Sequence, residues 1–250
     1  MSKAKYVYVN GLWQHPDAVN WITSNLENAV DMPVEVLDFH DELVNGMDNA
    51  TYMKRIIEKY GDLHGGNEDV ILHGHSHGGA FSILFSERFK LKKLVLTNQC
   101  LMPFGILRKV PNTLKAILGQ HGIGAGYEPH YTLKYEDEFQ VRLDYFTKNF
   151  VLGRDLSRLM AVGKEARKLT GAIRVPLLCI QSMKDEMASV KPNLEFYKNV
   201  PLAEYHPSMT FPGMITKQII KVPNGEHAIL EEEGVYQDLY DEIGNFVRRK

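Results

Sequence analysis

The sequence predicts an α/β fold: a mostly parallel central sheet flanked by helices, with a helical insertion near the middle of the chain. Two observations carry the sheet. Short apolar runs, too continuous for half-exposed strands, recur along the chain, and segments with helical spacing fall between them. A third observation, the lack of any convincing strand from Leu101 to Ala172, locates the insertion.

In chain order, the run Tyr6–Val9 (YVYV) is followed by Val19, Ile22 and Leu26 at helical intervals. Val34–Leu37 (VEVL) comes next, and then Met53, Ile56, Ile57 and Tyr60 with the same helical period. Val70–Leu72 (VIL) leads into a helix-compatible stretch, Gly79 to Phe89, and Leu94–Leu96 (LVL) precedes the strandless interval. Leu177–Ile180 (LLCI) and Ile219–Val222 (IIKV) complete the strands. A final helix is marked by Tyr236, Leu239, Tyr240, Ile243, Phe246 and Val247. Strands buried under helices on both faces imply parallel pairing. An unstructured loop from Leu101 to Ala172 would be out of place in a compact domain, so the interval, punctuated by Pro103, Pro111 and GQHGIGAG, is read as a helical cap. The expected organisation is a core of residues 1–100 and 173–250 with the cap at 101–172. Met102, Phe104, Ile106, Leu107, Leu114, Ile117 and Leu118 form the cap's own core and its seam with the sheet, with several available to line a ligand pocket.

The 250 residues are 44% apolar and 24% charged, enough to bury a sizeable core. A net charge of −2 leaves no basic field for nucleic acid or anionic membranes. No run of about 18 apolar residues could span a bilayer, and MSKAKYVYVNG passes from a charged start into a strand-like run without a signal-peptide core. A soluble, cytoplasmic protein is expected. Cys100 and Cys179 each sit among apolar residues and read as buried free thiols.

Chemistry concentrates in VILHGHSHGGAF, residues 70–81. Gly74-His75-Ser76-His77-Gly78 fits G-x-S-x-G, with a strand-like run before it and a helix-compatible one after it, the context that a nucleophile elbow needs. Glycines on either side let a strained turn press against neighbouring elements while the serine hydroxyl is lifted clear of the sheet. His73, His75 and His77 at alternate positions raise a metal site as the rival. H-x-H zinc sites usually add a further aspartate and histidine nearby, and this segment supplies neither. His73 reads instead as a hydrogen-bonded histidine in the floor of the site.

A serine needs a base and an orienting acid, in the order Ser, acid, His for this arrangement. VPLLCIQSMKDEM offers Asp185 just past a buried strand, with Glu186 as its competitor, and IIKVPNGEHAILEEE offers His227 between a strand and the last helix. His206 is a rival base without a strand leading into it, and Glu231, Glu232 and Glu233 read as a solvated first helical turn. The loop after the first strand, NGLWQHPD, supplies Gly11 for close backbone approach, the Leu12 amide as an oxyanion donor beside that of His77, and Trp13 and His15 at the pocket border. Gly11, Trp13 and His75 are the candidate substrate-binding residues.

With these segments in place, the chain resembles the α/β-hydrolase fold superfamily of serine esterases and lipases over essentially its whole length. VILHGHSHGG looks like the nucleophile elbow, VPLLCIQSMKD like the acid strand and loop, and PNGEHAIL like the histidine loop. The resemblance implies Ser76 as nucleophile, Asp185 as acid, His227 as base, the amides of Leu12 and His77 as oxyanion hole, and a cap between the family's sixth and seventh strands. The chain departs from the family in reading Asn-Gly where the first loop commonly has His-Gly, and in lacking the first two strands. About forty residues separate Asp185 from His227, which leaves room for a loop at Tyr205 to Gly213 beside the pocket. The expected activity is hydrolysis of a small-molecule carboxylic ester, lipophilic or thioester, through an acyl-enzyme and without metal or organic cofactor. The alternatives are lyase, C–C hydrolase or perhydrolase chemistry on the same fold, or a hydrolase fold kept only for binding.

Overall fold

The computed structural model describes residues 4–11, 14, 16–38, 48–64, 69–102, 157–185, 187–206, 208, 214–231 and 237–249. Within them the elements run β1 (Lys5–Val9), α1 (Pro16–Val30), β2 (Val34–Leu37), α2 (Asn49–His64), β3 (Val70–His75), α3 (Ser76–Phe85) and β4 (Leu91–Thr97). A helix over residues 157–168 (α4) follows, and then β5 (Leu177–Ser182), α5 (Val190–Asn199), β6 (Ala203–Glu204), β7 (Thr216–Val222) and α6 (Gln237–Arg248).

The seven strands form one sheet in the order β2-β1-β3-β4-β5-β7-β6, every pair parallel. Alternation along β1 shows how two layers arise from a continuous apolar run. Tyr6 and Tyr8 point into a cluster with Ile22 and Leu26 of α1 and Ile243 and Phe246 of α6. Val7 and Val9 point the other way, to Tyr52 and Ile56 of α2, Phe81 and Phe85 of α3, Val162 and Ala166 of α4, and Phe196 of α5. β2, an edge strand, is mostly exposed along its length.

Two lysines inside strands are not solvated. Lys93 of β4 donates to the carbonyls of Phe246, Val247 and Arg249, and Lys217 of β7 donates to those of Tyr197, Lys198 and Val200. Each ammonium thereby satisfies the last carbonyls of a helix, α6 on one face and α5 on the other, at the negative end of its dipole.

The register aligns the carboxyl ends of the strands. Val9 pairs with Leu37 and Gly74, His75 with Thr97, Thr97 with Ile180, and Ser182 with Val222. The chain leaves β1 towards β2 on one side and returns to β3 on the other, so the order reverses between β1 and β3, where parallel sheets open a crevice for ligands. The β3–α3 turn closes against that crevice by direct backbone contact. A Cβ on Gly78 would lie 2.2 Å from the Val9 carbonyl oxygen and 2.3 Å from that of Asn10, and a Cβ on Gly74 would lie 2.3 Å from Ser82 Oγ.

Relative to the sequence reading, β3 extends through His75 and α3 begins at Ser76 and stops at Phe85 rather than Phe89. The interval expected to form a cap falls for residues 103–156 outside the described residues. Its last part, α4, packs into the core through Val162 and Ala166. Cys100 and Cys179 are buried free thiols. Among the described residues, no helix is long and apolar enough to cross a membrane.

The contact at Gly78 predicts that Gly78→Ala, which drives a methyl into main-chain oxygens, costs about 3 kcal/mol or more, read as a large fall in the thermal unfolding midpoint. Gly171→Ala, whose methyl meets nothing within 4 Å, is the control and stays within about 0.5 kcal/mol of the parent.

Candidate active site

Ser76 stands where β3 becomes α3, with a φ of 52° in the left-handed region that a residue bearing a Cβ enters at a cost of order 1–3 kcal/mol. The turn is held from behind by the Cys100 amide, which donates to the Ser76 carbonyl at 2.8 Å. His75, at the N-terminus of α3, makes no side-chain cap hydrogen bond, and the positive end of that helix dipole sits at the serine.

His227, in the turn after β7, brings Nε2 to 2.7 Å from Ser76 Oγ. Its Nδ1 lies 2.9 Å from each carboxylate oxygen of Asp185. Asp185 follows β5 with a fully buried side chain, and its Oδ1 also accepts the amides of Met187 and Ala188 at 2.9 and 2.8 Å. The carboxylate is therefore fixed before it meets the imidazole. The structure brings together Ser76, Asp185 and His227 from the three loops that the sequence singled out. Glu186 lies outside the described residues. His206 is exposed after β6, with its Nδ1 2.7 Å from Ser208 Oγ.

The four histidines divide by environment. His73 is buried, with Nδ1 2.9 Å from the Tyr6 hydroxyl and Nε2 2.8 Å from Thr97 Oγ1, and burial drives its pKa down to about 3. His75 is buried with its ring centroid 5.3 Å from that of His227; burial first, and then the neighbouring histidines, hold its pKa well below the ordinary value. His77 stacks on Tyr52 at an interplanar angle of 3° and meets Phe81 edge-on. Burial also acts against charge on His227, but the Asp185 charge and hydrogen bond, with Glu231, outweigh it and raise its pKa above the imidazole norm. The candidate metal cluster of the sequence is thus three side chains with different partners: His73 with Tyr6 and Thr97, His75 with His227, His77 with Tyr52.

Gly11 reaches the site as its residue type suggests. A Cβ there would lie 2.9 Å from the His75 ring and 3.2 Å from Ser76 Cβ. Leu12, Trp13 and His15, the other first-loop candidates, lie outside the described residues, as does most of the 205–213 loop.

Two features escaped the sequence reading. Asn98, just past β4 with φ 45°, donates from Nδ2 to Ser182 Oγ (2.8 Å) and to the carbonyls of Glu226 (3.0 Å) and His227 (2.7 Å). Its Oδ1 accepts the Ser182 amide at 2.7 Å, so one buried amide joins the ends of β4 and β5 to the histidine loop. The visible signal was only an asparagine after an apolar run, a residue type that tolerates the left-handed region. The second is Glu231. It lies in the turn that carries His227, outside α6, and its Oε1 accepts from Gln14 Nε2 at 2.7 Å. Burial raises its pKa, against the Gln14 hydrogen bond and the His227 charge. The reading of Glu231 as part of a solvated helical turn is therefore corrected. Glu232 and Glu233 lie outside the described residues.

Comparison with known proteins fits this geometry. The model of the family described as "Serine aminopeptidase, S33" matches residues 43–214, more than half of the chain, a span that includes Ser76 and Asp185 and ends before His227. No curated protein sequence matches significantly. Among solved structures, a metagenome-derived lipolytic enzyme from the LipS and LipT study superposes with a TM-score of 0.65 at 16% identity, over 100% of this chain and 95% of that one. A soluble variant of monoglyceride lipase from Saccharomyces cerevisiae in complex with a substrate analogue gives 0.63 at 12% identity, over 99% and 87%. Monoacylglycerol lipase from Paleococcus ferrophilus gives 0.59 at 15%, over 97% and 93%. These likenesses establish the α/β-hydrolase fold.

Two outcomes are expected. The unfolded chain protonates His73 near pH 6.5 and the fold does so only near 3, so acidification through that window favours the unfolded state, by up to about 1.4 kcal/mol per pH unit per such group. Urea midpoints at pH 7, 6 and 5 should therefore fall, and His73→Asn should fall less steeply. Asn98→Ala, which leaves buried carbonyls unpaired, should lose about 2–3 kcal/mol in the same assay.

Proposed function

We propose that this chain, which belongs to the serine aminopeptidase S33 family and has the α/β-hydrolase fold, is a serine hydrolase of carboxylic esters. The observation that carries the reading is the continuous relay from Ser76 Oγ through His227 to the Asp185 carboxylate, at 2.7 and 2.9 Å. In it His227 Nε2 takes the serine proton as Oγ attacks the carbonyl carbon. Asp185 holds Nδ1–H and stabilises the imidazolium, which then protonates the departing alcohol. Water, deprotonated by the same imidazole, hydrolyses the acyl-enzyme and restores Ser76. The developing oxyanion is assigned to the backbone amides of His77, at the positive end of α3, and Leu12, with Gly11, Trp13 and His75 around the reacting group. The reaction as written needs no metal or organic cofactor.

A lipophilic ester is the substrate class this reading favours. The stretch Met102 to Leu118 is rich in apolar residues, the composition that a surface for an acyl chain requires, and the structural neighbours named above are a lipolytic enzyme and two lipases of monoacylglycerol. The net charge of −2 argues against a polyanionic partner.

Hydrolysis of p-nitrophenyl esters from acetate to palmitate, run beside an aminoacyl p-nitroanilide, tests the reading. Ester turnover with a chain-length optimum is expected, falling by a factor on the order of 10⁴ in Ser76→Ala. Because the His227 pKa is raised, kcat/KM should climb with pH along an acid limb centred above 6.5. Turnover of the anilide alone would reassign the chain to amide hydrolysis, and no Ser76-dependent turnover of either would end the hydrolase reading of the site.

A further inference from the structure

Gln14 and Glu231 sit 217 residues apart in sequence, and neither has a role in the relay described above. Gln14 is buried, and both ends of its carboxamide are engaged. Its Oε1 accepts the Gly11 amide at 2.5 Å and the Tyr8 hydroxyl at 3.1 Å, while its Nε2 donates to Glu231 Oε1 at 2.7 Å. One side chain therefore touches β1, the loop that follows it, and the loop that carries His227.

We propose that Gln14 and Glu231 form a strap that sets the oxyanion side of the site in register with the base, making both positioning residues for the acyl-transfer step. The geometry is specific at each end. The Gly11 amide donates to Gln14 Oε1, which ties together the two residues flanking the segment from which the oxyanion donor is assigned, and Gly11 itself is in contact range of Ser76 Cβ and the His75 ring. At the other end Glu231 donates its amide to the Ala228 carbonyl at 2.8 Å, within the same turn as His227, and the Tyr240 hydroxyl holds the adjacent Leu230 carbonyl at 2.6 Å. The two loops leave different strands, β1 and β7, which are not neighbours in the sheet, so no strand pairing fixes their separation.

Glutamine is the side chain this position needs. It offers one oxygen able to accept two donors and one nitrogen able to donate, whereas leucine would leave the Gly11 amide and the Glu231 carboxylate unpaired and glutamate would set two carboxylates against each other. Displacement of a donor by about 1 Å is enough to cost on the order of a hundredfold in rate, so a connection of this kind acts on kcat. Glu231 adds a charge as well. Among the described residues, the groups facing His227 are Asp185 from the loop after β5, His75 from the end of β3, Ser76 from α3, and Glu231 from its own loop, whose carboxylate is in turn faced by Tyr8 and Tyr240.

The effect on turnover rests on the serine-hydrolase reading, but the strap does not, and two measurements separate them. The first is ester kinetics of Gln14→Ala, Glu231→Ala and Glu231→Gln. Gln14→Ala and Glu231→Ala should each lower kcat by about 10–100-fold with KM changed less than about threefold. Glu231→Gln, which keeps an oxygen for Gln14, should recover much of the loss yet move the acid limb to lower pH. The second is an NMR titration of the full-length protein, following the His227 ring assigned through His227→Asn. Its midpoint should fall in Glu231→Gln, and the Gly11 amide resonance should move in both Gln14→Ala and Glu231→Ala. If the parent protein turns over no ester but these shifts occur, the esterase reading fails and the strap stands. If the Gly11 resonance and the His227 midpoint stay fixed, or if the variants lose only thermal stability while keeping kcat, the strap is overturned.

Discussion

Everything at the candidate site depends on the sharp turn between β3 and α3. Ser76 can leave the sheet plane only because its backbone adopts a left-handed conformation, and that conformation survives only because the surroundings over-determine it. Gly78 lies against the carbonyls of Val9 and Asn10 with no room for a methyl group, and the Cys100 amide pins the Ser76 carbonyl from the β4 side. The same contacts that hold the strained turn bring the end of β1 against it, so the loop proposed to carry an oxyanion donor and the serine are neighbours by construction. Strain and proximity have one cause.

The parallel register then does the rest of the assembly. Because Val9, His75, Thr97, Ser182 and Val222 end their strands on one edge of the sheet, the residues that follow each strand share one region of space however far apart they lie in sequence. Strand ends fix position only coarsely, and side-chain amides supply the finer adjustment. Asn98 ties the ends of β4 and β5 to the histidine loop, and the Asp185 carboxylate is seated by two backbone amides before it meets His227. The buried lysines act one level further out. Lys93 and Lys217 anchor the carboxyl-terminal ends of α6 and α5 to β4 and β7, which carry the loops of Asn98 and His227.

What the sequence made legible follows from the range of the physics involved. Strand and helix periodicity is local, so the strand cores of β1 to β5 and β7 could be read from runs of a few residues, as could Ser76 from the glycines around it. Asp185 and His227 could be anticipated because a parallel sheet predicts where functional loops emerge. By contrast, Gln14 with Glu231, and Asn98 with the histidine loop, are partnerships between single polar residues more than a hundred positions apart, and neither partner has a local pattern that distinguishes it from a solvated side chain. Lys93 and Lys217 carry no local signal of their burial either: a charge within a strand normally marks an exposed face, and only the arrival of a helix end above it makes burial favourable. The two-residue strand β6 was missed because Ala203–Glu204 has no periodicity to read.

The run of histidines around Ser76 is best understood through what surrounds each ring. Identical imidazoles sit within a few residues of one another, yet the histidine proposed as the base comes from a distant loop. His73 and His75 lie among buried neighbours with no carboxylate among the described residues acting on either, so desolvation dominates and both stay neutral across the physiological range. His227 is also largely withdrawn from water, but Asp185 and Glu231 reverse the sign of the effect and favour its protonated form. The role proposed for His227, accepting a proton from serine and returning it to a leaving group, needs that balance, with the charged state accessible but not locked in. Burial alone would have made His227 another His73. The neighbouring carboxylates give it access to both states, and their position depends on the loops held by Asn98 and Gln14 rather than on the motif that contains the serine.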